Sequence, residues 1–343
     1  MYLTMIIPAF NCEDCLSDAI NSIMNQTIGF ENIELIIVDD CSTDTTRDII
    51  KDYEKKYFNI KGIFLPKNNG VAGIPRNIGI KNATSKYLMF LDADDEYETD
   101  ACEIFYNKIV ETDADYVFSG WLSVSGDKFT KSSHEYLNET KEFTFNNEEN
   151  IKEWYKYFQW SGMSACIYNK EFVLNHNIKC HEALGEDGYF SLKSLFNAKK
   201  IVFIKYWSYH NKLRDTKEKR SITNIRNEKM FKSREKSIYY FSDLMDEYEA
   251  PNKKLLLNPE VNLLLWIAYT FTANIPNKLR KELFIDLNNL EKELDIMKFK
   301  SFNSNFLNYF VIKEHYTIAI LISRILGYIF NNSLLLNIFR NKK

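Results

Sequence analysis

Short apolar runs alternate with helical patterns through the first third of the chain. The runs that we predict to be strands cover residues 3–9, 33–39, 60–65, 87–92 and 116–121. They lack the strict alternation of apolar and polar residues that a half-exposed strand shows. This pattern is typical of strands that are buried on both faces of a mostly parallel sheet.

Two helices are predicted between the first three strands. In the first helix, apolar residues recur at helical spacing and form one stripe, at Leu16, Ala19, Ile20, Ile23 and Met24. The second helix follows the second strand, with Asp44 as a candidate N-cap residue. The βαβα order predicts an α/β fold with right-handed crossovers, in which ligands bind at the carboxyl ends of the strands.

The rest of the chain changes character twice. Residues 122–150 are polar and irregular, which predicts a loop or a short hairpin, and from about residue 226 the pattern is helical. We therefore predict an α/β catalytic domain at residues 1–225 and a helical C-terminal region at residues 226–343. The helical region is expected to contact an acceptor, a second copy of the chain or a membrane.

An apolar segment near the C-terminus could contact a membrane. Residues 316–330 are apolar apart from a central Arg324. The segment is shorter than the roughly 20 residues that a spanning helix needs. It is therefore expected either to pack on the protein or to lie as an amphipathic anchor at a membrane surface.

Composition and charge narrow the class of protein. Of the 343 residues, 45% are hydrophobic and 27% are charged, as in a folded globular protein, and the net charge of −3 predicts no nucleic-acid partner. Residues 199–236 are rich in Lys and Arg and form either a phosphate-facing surface or a solvated helix face. The six scattered cysteines and the absence of a signal-peptide pattern predict a reducing, cytoplasmic location.

The strand at 87–92 leads into a cluster of acids, in the sequence YLMFLDADDEYE. Carboxylates as close as those of Asp92, Asp94 and Asp95 raise one another's pKa values unless a cation neutralises them. Oxygen ligands with open positions suit Mg²⁺ or Mn²⁺. Two alternatives remain open, an acidic turn before the helix that follows Asp100 and a DxDx[TV] phosphatase motif with Glu96 at its fifth position.

Glycines in the segment NNGVAGIPRNIG, residues 68–79, lead into Pro75 and Arg76. Pro is favourable at a first helical position, and the free N–H groups of a helix start attract anions. The chain contains neither GxxxxGK[ST] nor GxGxxG, which argues against a P-loop kinase and a dinucleotide enzyme.

Five motifs occur in a fixed order, and together they are specific. They are MIIPAFN, IIVDDCSTDTT with Cys41 where Gly is usual, NNGVAGIPRNIGI with Pro75 where Ala is usual, YLMFLDADD with its D-x-D, and LGEDGYF. The set resembles the family-2 inverting glycosyltransferases of GT-A fold, over roughly residues 3 to 225.

The resemblance implies a nucleotide-sugar donor site. The residues that would line it are Pro8, Ala9, Phe10, Asn11, Asp39, Asp40, Asn69, Gly70, Arg76, Asp92 and Ala93. Asp39 would accept from the N3–H of uracil, so that a UDP-sugar is expected, and Asp40 would contact the ribose or hold the loop. Asp95 would support the loop, and Glu96 would face water.

The resemblance also implies a metal ion and a general base. Asp94 would hold Mn²⁺ or Mg²⁺ against the donor diphosphate, and His210 is either a further metal ligand or a packed residue. Asp187 would take the proton from the acceptor hydroxyl, with Glu186 positioning it. Taken without the other motifs, this acidic pair would be a helix N-terminal pair favoured by the helix dipole.

Three further residues are candidates for contact with the acceptor or the diphosphate, namely Trp160, Lys212 and Arg214. The expected enzyme is a metal-dependent hexosyl- or N-acetylhexosaminyl-transferase of the bacterial cell envelope. It would be non-processive, because the Q-x-x-R-W motif and the membrane spans of processive synthases are missing.

The expected acceptor is a glycan, a lipid-linked glycan or a polyol-phosphate polymer. Peripheral contact with the inner face of the cytoplasmic membrane and homo-oligomerisation are left open. The alternative from another class is a non-catalytic module of the same fold that binds sugars or nucleotides.

Overall fold

The computed structural model describes residues 1–126, 128–131, 140–144, 163–212, 228–248 and 277–294. The chain divides into two compact units, Met1–Ser221 and Ile222–Lys343. The first unit carries all the described strands, and the second carries two of the described helices.

The strands of the first unit form one sheet. They are β1 Leu3–Ala9, β2 Ile33–Asp39, β3 Ile60–Phe64, β4 Tyr87–Phe90, β5 Glu96–Tyr97, β6 Tyr116–Ser125, β7 Lys128–Lys131, β8 Lys141–Thr144, β9 Cys166–Asn169 and β10 Lys200–Lys212. The order across the sheet is β3-β2-β1-β4-β9-β6-β10-β5, with β7 paired to β6 and β8 paired to β10.

The helices of the first unit are α1 Leu16–Met24, α2 Thr46–Lys56, α3 Gly73–Asn82, α4 Ala101–Thr112, α5 Lys170–Asn175 and α6 Glu186–Asn197. The helices described in the second unit are α7 Glu228–Glu247 and α8 Asn277–Leu294. Within the second unit, Phe231 of α7 and Phe284 of α8 are buried, and Lys232 Nζ lies 2.5 Å from Asp286 Oδ2.

The sheet combines a parallel part with antiparallel additions. Strands β3, β2, β1 and β4 run parallel to one another. Strand β9 is antiparallel to both β4 and β6, so β6 has the same direction as β4, and β10 is parallel to β6. The carboxyl ends of β1, β2, β3, β4, β6 and β10 therefore point toward the same edge of the sheet.

Close packing fixes the helices on this sheet. A Cβ added at Gly79 of α3 would lie 2.4 Å from Cγ2 of Ile6, so the helix backbone contacts β1 at a distance that only Gly allows. On the same sheet, Phe90 of β4 packs edge-on against Tyr168 and Phe190, and all three are buried. The strand that leads into the acid cluster is thus an interior strand.

The predicted pattern agrees with the structure at β1 and β2, and differs elsewhere in detail. Strand β4 ends at Phe90, before the predicted residue 92, and β6 continues to Ser125 and forms a hairpin with β7. Helix α2 begins at Thr46 with Thr45 as its N-cap, and Asp44 Oδ1 accepts from the N–H of Thr46 at 3.0 Å.

No helix among the described residues combines the length and apolar character that crossing a membrane requires. The predicted amphipathic segment 316–330 lies outside the described residues.

Cys41 occupies a backbone conformation that favours glycine. Its φ is +65°, in the left-handed region, in the loop that follows β2. An L side chain in this region costs about 1–2 kcal/mol. The Gly expected here in related sequences would adopt the conformation without that cost.

We predict that Cys41→Val lowers the free energy of unfolding by about 1–2 kcal/mol, because a β-branched side chain is poorly tolerated at positive φ. Cys41→Gly is expected to stay within about 1 kcal/mol of the wild type, since relief of strain offsets the larger entropy of the unfolded chain. Urea unfolding measures both. The control position is Cys15, whose φ is −134°. There the free energy of unfolding of Cys15→Val should equal or exceed that of Cys15→Gly. Equal stability of Cys41→Val and Cys41→Gly would contradict the prediction.

Candidate active site

The site lies where the parallel strands end. Asp39 is the last residue of β2, Asn11 follows β1, and Asp92 follows β4. Since these carboxyl ends share one edge, the motifs that are far apart in the sequence come together there. Pro8 and Ala9 close β1, and the side chain of Phe10 next to them is exposed.

Arg76 of α3 connects two of the predicted site segments. Its Nη2 donates to Asp92 Oδ1 at 2.6 Å, and its Nη1 donates to Glu186 Oε1 at 2.8 Å. Arg76 and Glu186 are buried, and the side chain of Asp92 is 36% exposed. Burial opposes the charge on Arg76, but the carboxylates of Asp92 and Glu186 outweigh it and raise the pKa of Arg76 above its ordinary value.

Two further contacts tie α3 to the segment before α6. Asn77 Nδ2 donates to the carbonyl of Cys180 at 2.9 Å, and the N–H of Cys180 donates back to Asn77 Oδ1 at 2.9 Å. A Cβ added at Gly73 would lie 2.5 Å from the carbonyl oxygen of His181. The Gly, Arg and Asn of the GIPRN segment therefore each contact the stretch that leads into Glu186.

Glu186 and Asp187 form the first turn of α6, after Gly185 at φ +88°. Burial raises the pKa of Glu186 to about 7, and Arg76 only partly opposes this shift. Asp187 is half-buried, and its carboxylate makes no hydrogen bond or ion pair with the residues that the structure describes. The pair thus divides into a carboxyl group held by Arg76 and one that is available to a ligand.

Asp39, predicted to bind the base, is fully buried and already has protein partners. Arg47 Nε donates to Asp39 Oδ2 at 2.6 Å, and the N–H of Ser42 lies 3.2 Å from each carboxylate oxygen. Arg47 also donates through Nη2 to the carbonyl of Leu65 at 2.8 Å, and its side chain is 33% exposed. The partly exposed side-chain partner of the buried Asp39 is therefore Arg47.

Asp40, predicted to contact the ribose or to hold the loop, accepts hydrogen bonds from Asn68 and Asn69. Its Oδ2 accepts from the N–H of Asn69 at 2.9 Å and from Asn68 Nδ2 at 3.1 Å. Gly70 follows at φ +81°. The Asn68–Asn69 turn before α3 is thereby fixed to the end of β2.

Asn11 connects the loop after β1 to the loop after β2. Its N–H donates to Ser42 Oγ at 2.9 Å, and its Oδ1 accepts from the N–H of Thr43 at 2.8 Å. Asn11 has a φ of +46°, a region in which Asn is enriched. The structure thus brings the predicted nucleotide-site residues into one connected set of loops.

The four acids after β4 differ in their surroundings. Asp92 pairs with Arg76, Ala93 is buried, and Asp94 is half-buried. Asp95 is 3% exposed and accepts from the hydroxyl of Tyr209 at 2.6 Å. Burial, with the charges of Asp92 and Asp94 close by, raises the pKa of Asp95 to about 8.

Glu96 does not simply face water, and this corrects the sequence-based expectation. It lies in β5, which pairs with β10, and its carboxylate bonds to Lys212 Nζ. Lys212, a candidate for contact with the acceptor or the diphosphate, is therefore ion-paired in the structure. The sequence could not reveal this, because the two residues meet only through sheet pairing.

His210 also has a protein partner. Its Nε2 lies 2.7 Å from Glu98 Oε1, and its ring packs edge-on against Phe129 at a centroid distance of 6.2 Å. A metal ion would have to compete with Glu98 for that nitrogen. Trp160 and Arg214, the other candidates of this region, lie outside the described residues.

Within the described ranges, no group of three or more His, Cys, Asp or Glu side chains is placed to hold a metal ion. Asp94 offers carboxylate oxygens, which suit Mg²⁺ or Mn²⁺, but it can complete a coordination shell only with oxygens from elsewhere. Both ions readily take phosphate oxygens and water, so the residues fit a metal that a diphosphate ligand helps to bind.

Sequence reasoning missed Arg47, Asn77 and Tyr209 as site residues. Arg47 reaches Asp39 from the first turn of α2, and Tyr209 reaches Asp95 across 114 positions of sequence. The signal for Asn77 was present, since it lies inside the quoted GIPRN segment. For Tyr209 the local sequence offered only an aromatic among several.

We predict that Glu186→Gln flattens the pH dependence of stability. Glu186 holds its proton in the folded state between its ordinary pKa of about 4.5 and its raised pKa of about 7. The wild-type free energy of unfolding should therefore fall as pH rises through this window, by up to about 1.4 kcal/mol per unit from this group. The glutamine side chain of the variant keeps an acceptor for Arg76 but has no proton to lose.

Urea unfolding at pH 5, 6, 7 and 8 gives the slope of the free energy of unfolding against pH for the wild type and for Glu186→Gln. Asp95 titrates in both proteins, so its contribution cancels in the difference between the two slopes. Glu182→Gln, at an exposed position in the same segment, is the control and should keep the wild-type slope. Parallel slopes for wild type and Glu186→Gln would contradict the assignment.

Comparison with known proteins assigns the N-terminal half of the chain to a family. The sequence-family model described as Glycosyl transferase family 2 matches residues 4–172. The poly(ribitol-phosphate) beta-glucosyltransferase of Bacillus spizizenii is 29% identical over 291 residues, which are 82% of this chain and 43% of that protein. The poly(ribitol-phosphate) beta-N-acetylglucosaminyltransferase TarP of Staphylococcus aureus is 30% identical over 61% of this chain and 62% of that protein. The chain spans less than half the length of the first curated relatives that it matches.

Solved structures agree on the fold. Residues 1–349 of TarS from S. aureus, in complex with UDP-GlcNAc, match with a TM-score of 0.67 and 20% identity, covering 94% of this chain and 90% of that one. The mannosyltransferase PcManGT from Pyrobaculum calidifontis, in complex with GDP-Man and Mn²⁺, matches with a TM-score of 0.51 and 11% identity over 94% of this chain and 86% of that one. Residues 4–172 therefore belong to glycosyl transferase family 2, and the fold of the chain is GT-A.

Proposed function

We propose that this chain transfers a sugar from a UDP-sugar to a hydroxyl of a polyol-phosphate polymer, with inversion at the anomeric carbon and without processive movement. The observation that carries the proposal is the buried Arg76, which joins Asp92 at the donor edge to Glu186 beside Asp187. A donor-binding carboxylate and a candidate base are thereby held at one site.

Asp187 is the proposed general base. Inversion requires a carboxylate that takes the acceptor proton while the hydroxyl attacks from the face opposite the leaving group. Asp187 is half-buried at the start of α6, and Arg76 holds the adjacent Glu186. Its neighbour is thus fixed, whereas Asp187 remains available to the acceptor.

The donor side must stabilise negative charge on the leaving diphosphate. Asp94 is the proposed ligand of Mn²⁺ or Mg²⁺, and a bound divalent ion would neutralise part of that charge. The loops that Asp40 and Asn11 connect would enclose the nucleoside, with Phe10 exposed beside them. Asp39 and Arg47 would lie next to the uracil ring.

The acceptor class is proposed from the relatives. Two of them are named for transfer to poly(ribitol-phosphate), one as a glucosyltransferase and one as an N-acetylglucosaminyltransferase. A polyol-phosphate chain is anionic, and the basic stretch at residues 199–236 has the opposite charge. Glycan and lipid-linked acceptors are the other classes to test, and a reaction that uses a UDP-sugar is expected in the cytoplasm.

The phosphatase alternative is set aside, because the matched family and the named relatives are transferases. The non-catalytic binding module remains as the alternative outcome of the experiments. It predicts binding of UDP without turnover of any UDP-sugar.

We predict that Asp187→Asn lowers kcat about 10²–10⁴-fold, because the amide cannot accept the acceptor proton. The assay is transfer from UDP-glucose or UDP-N-acetylglucosamine to poly(ribitol phosphate) in the presence of Mn²⁺. The affinity for UDP should change by less than about twofold, since the base contacts the acceptor.

Glu182→Gln provides the matched control for loss of one carboxylate in the same segment, and its kcat should equal that of the wild type. Full activity of Asp187→Asn would remove Asp187 as the base. Binding of UDP with no turnover of either donor in the wild type would favour the non-catalytic module.

A second prediction concerns the nucleotide and the metal. Calorimetry should give tighter binding of UDP than of GDP, because Asp39 would accept from the N3–H of uracil, and guanine, which also carries a ring N–H, is the larger base. Mn²⁺ should strengthen UDP binding, and Asp94→Asn should abolish most of that gain. Asp113→Asn, at an exposed position after α4, is the control and should retain it. Equal or tighter GDP binding would overturn the uracil assignment.

A further inference from the structure

A single hydroxyl group contacts both ends of the donor loop, which we define as residues 92–95. The hydroxyl of Tyr209 donates to Asp95 Oδ2 at 2.6 Å. The same oxygen accepts from the backbone N–H of Asp92 at 3.4 Å. The N–H of Asp95 also donates to the carbonyl of Asp92 at 3.0 Å, which closes the loop into a turn. The Tyr209 hydroxyl bonds to the first and the last residue of this turn.

The carboxylate of Asp95 continues this connection to the end of β10. Its Oδ1 accepts from the N–H of Lys212 at 2.8 Å, and Asn211 Nδ2 lies 3.4 Å from Oδ2. A backbone donor and a buried hydroxyl thus each bond to one oxygen of a carboxyl group that is only 3% exposed. The donor loop and the last residues of β10 cannot move independently while these bonds hold.

Packing fixes the position of the Tyr209 hydroxyl. Tyr209 is 4% exposed, and its ring meets the ring of Tyr97 edge-on at a centroid distance of 5.2 Å. The Tyr97 hydroxyl is itself bonded, donating to the carbonyl of Phe90 and accepting from the N–H of Ala165, both at 3.1 Å. A side chain buried in this way acts through the groups that it holds.

The donor loop needs an external support. The carboxylates of Asp92 and Asp94 are two residues apart, and like charges at this spacing repel one another. On one side of the loop, Arg76 forms an ion pair with Asp92 and a second ion pair with Glu186. Tyr209 and Asp95 hold the loop from the side of β10, so its conformation is set from two directions.

We propose that Tyr209 and Asp95 are positioning residues that set Asp92 and Asp94 for the nucleotide donor and its divalent cation, without touching either. The proposal rests on the proposed donor function of this loop. It assigns to Asp95 a role different from those of the two acids that precede it. It also makes the end of β10 part of the donor site.

Tyr209→Phe tests the proposal, with Tyr97→Phe as a matched control. Each substitution removes one buried hydroxyl that donates one hydrogen bond and accepts from a backbone N–H, and the two rings are in contact; the Tyr209 hydroxyl also bonds to Ser164. Both variants should therefore lose similar thermal stability. Only Tyr209→Phe should weaken UDP binding in the presence of Mn²⁺, by about tenfold, and raise the Mn²⁺ concentration for half-maximal turnover by a similar factor.

At saturating donor and Mn²⁺, kcat of Tyr209→Phe should stay within about threefold of the wild type, because the base and acceptor side are unchanged. Asp95→Asn, which keeps an oxygen for the Tyr209 hydroxyl, should retain more UDP affinity than Asp95→Ala.

Equal UDP affinities for Tyr209→Phe and Tyr97→Phe, with wild-type binding intact, would overturn the positioning role and leave the proposed function standing. Absence of UDP binding in the wild type with Mn²⁺ would overturn both. A fall in kcat with unchanged affinity would place Tyr209 on the acceptor side and would also contradict the proposal.

Discussion

The candidate site depends on one guanidinium that is buried between two carboxylates. The side chain of Arg76, a residue of α3, forms ion pairs with Asp92 after β4 and with Glu186 at the start of α6. Arg76 is 4% exposed. Charges buried in this way are tolerated only while every partner is present, because loss of one leaves an uncompensated charge in a poorly hydrated place. The positions of α3, β4 and α6 are therefore mutually constrained. Among the described residues, Arg76 Nε has no hydrogen-bond partner.

Around this ion pair, several polar residues hold loops and leave ligand contact to their neighbours. Asp40 fixes the Asn68–Asn69 turn, Asn11 joins two loops, and Asn77 fixes Cys180. Such bonds hold the loop backbones before a ligand arrives, and preorganisation of this kind lowers the entropy lost on binding. The family motifs thus contain residues that hold the loops of the site, in addition to the candidates for contact with a donor.

Much of the parallel sheet could be predicted from the sequence, because buried parallel strands are continuous apolar runs. Strands β1 and β2 agree with the prediction residue by residue, and the motifs after them predicted the edge that carries the site. The pairing of β5 with β10 and the burial of Asp95 could not be predicted, since both depend on contacts between residues more than 100 positions apart. No local pattern distinguishes the acid in DADD that will be buried.

The pairing of Asp39 with Arg47 has a consequence for the order of events during nucleotide binding. A base that hydrogen bonds to Asp39 Oδ2 must share that oxygen with the partly exposed side chain of Arg47. Such a base either binds to Arg47 as well or waits for a conformation in which Arg47 has moved away. In the second case the observed affinity is the intrinsic affinity scaled by the population of that open conformation. Base recognition would then be a conformational equilibrium governed by a residue that need not contact the base.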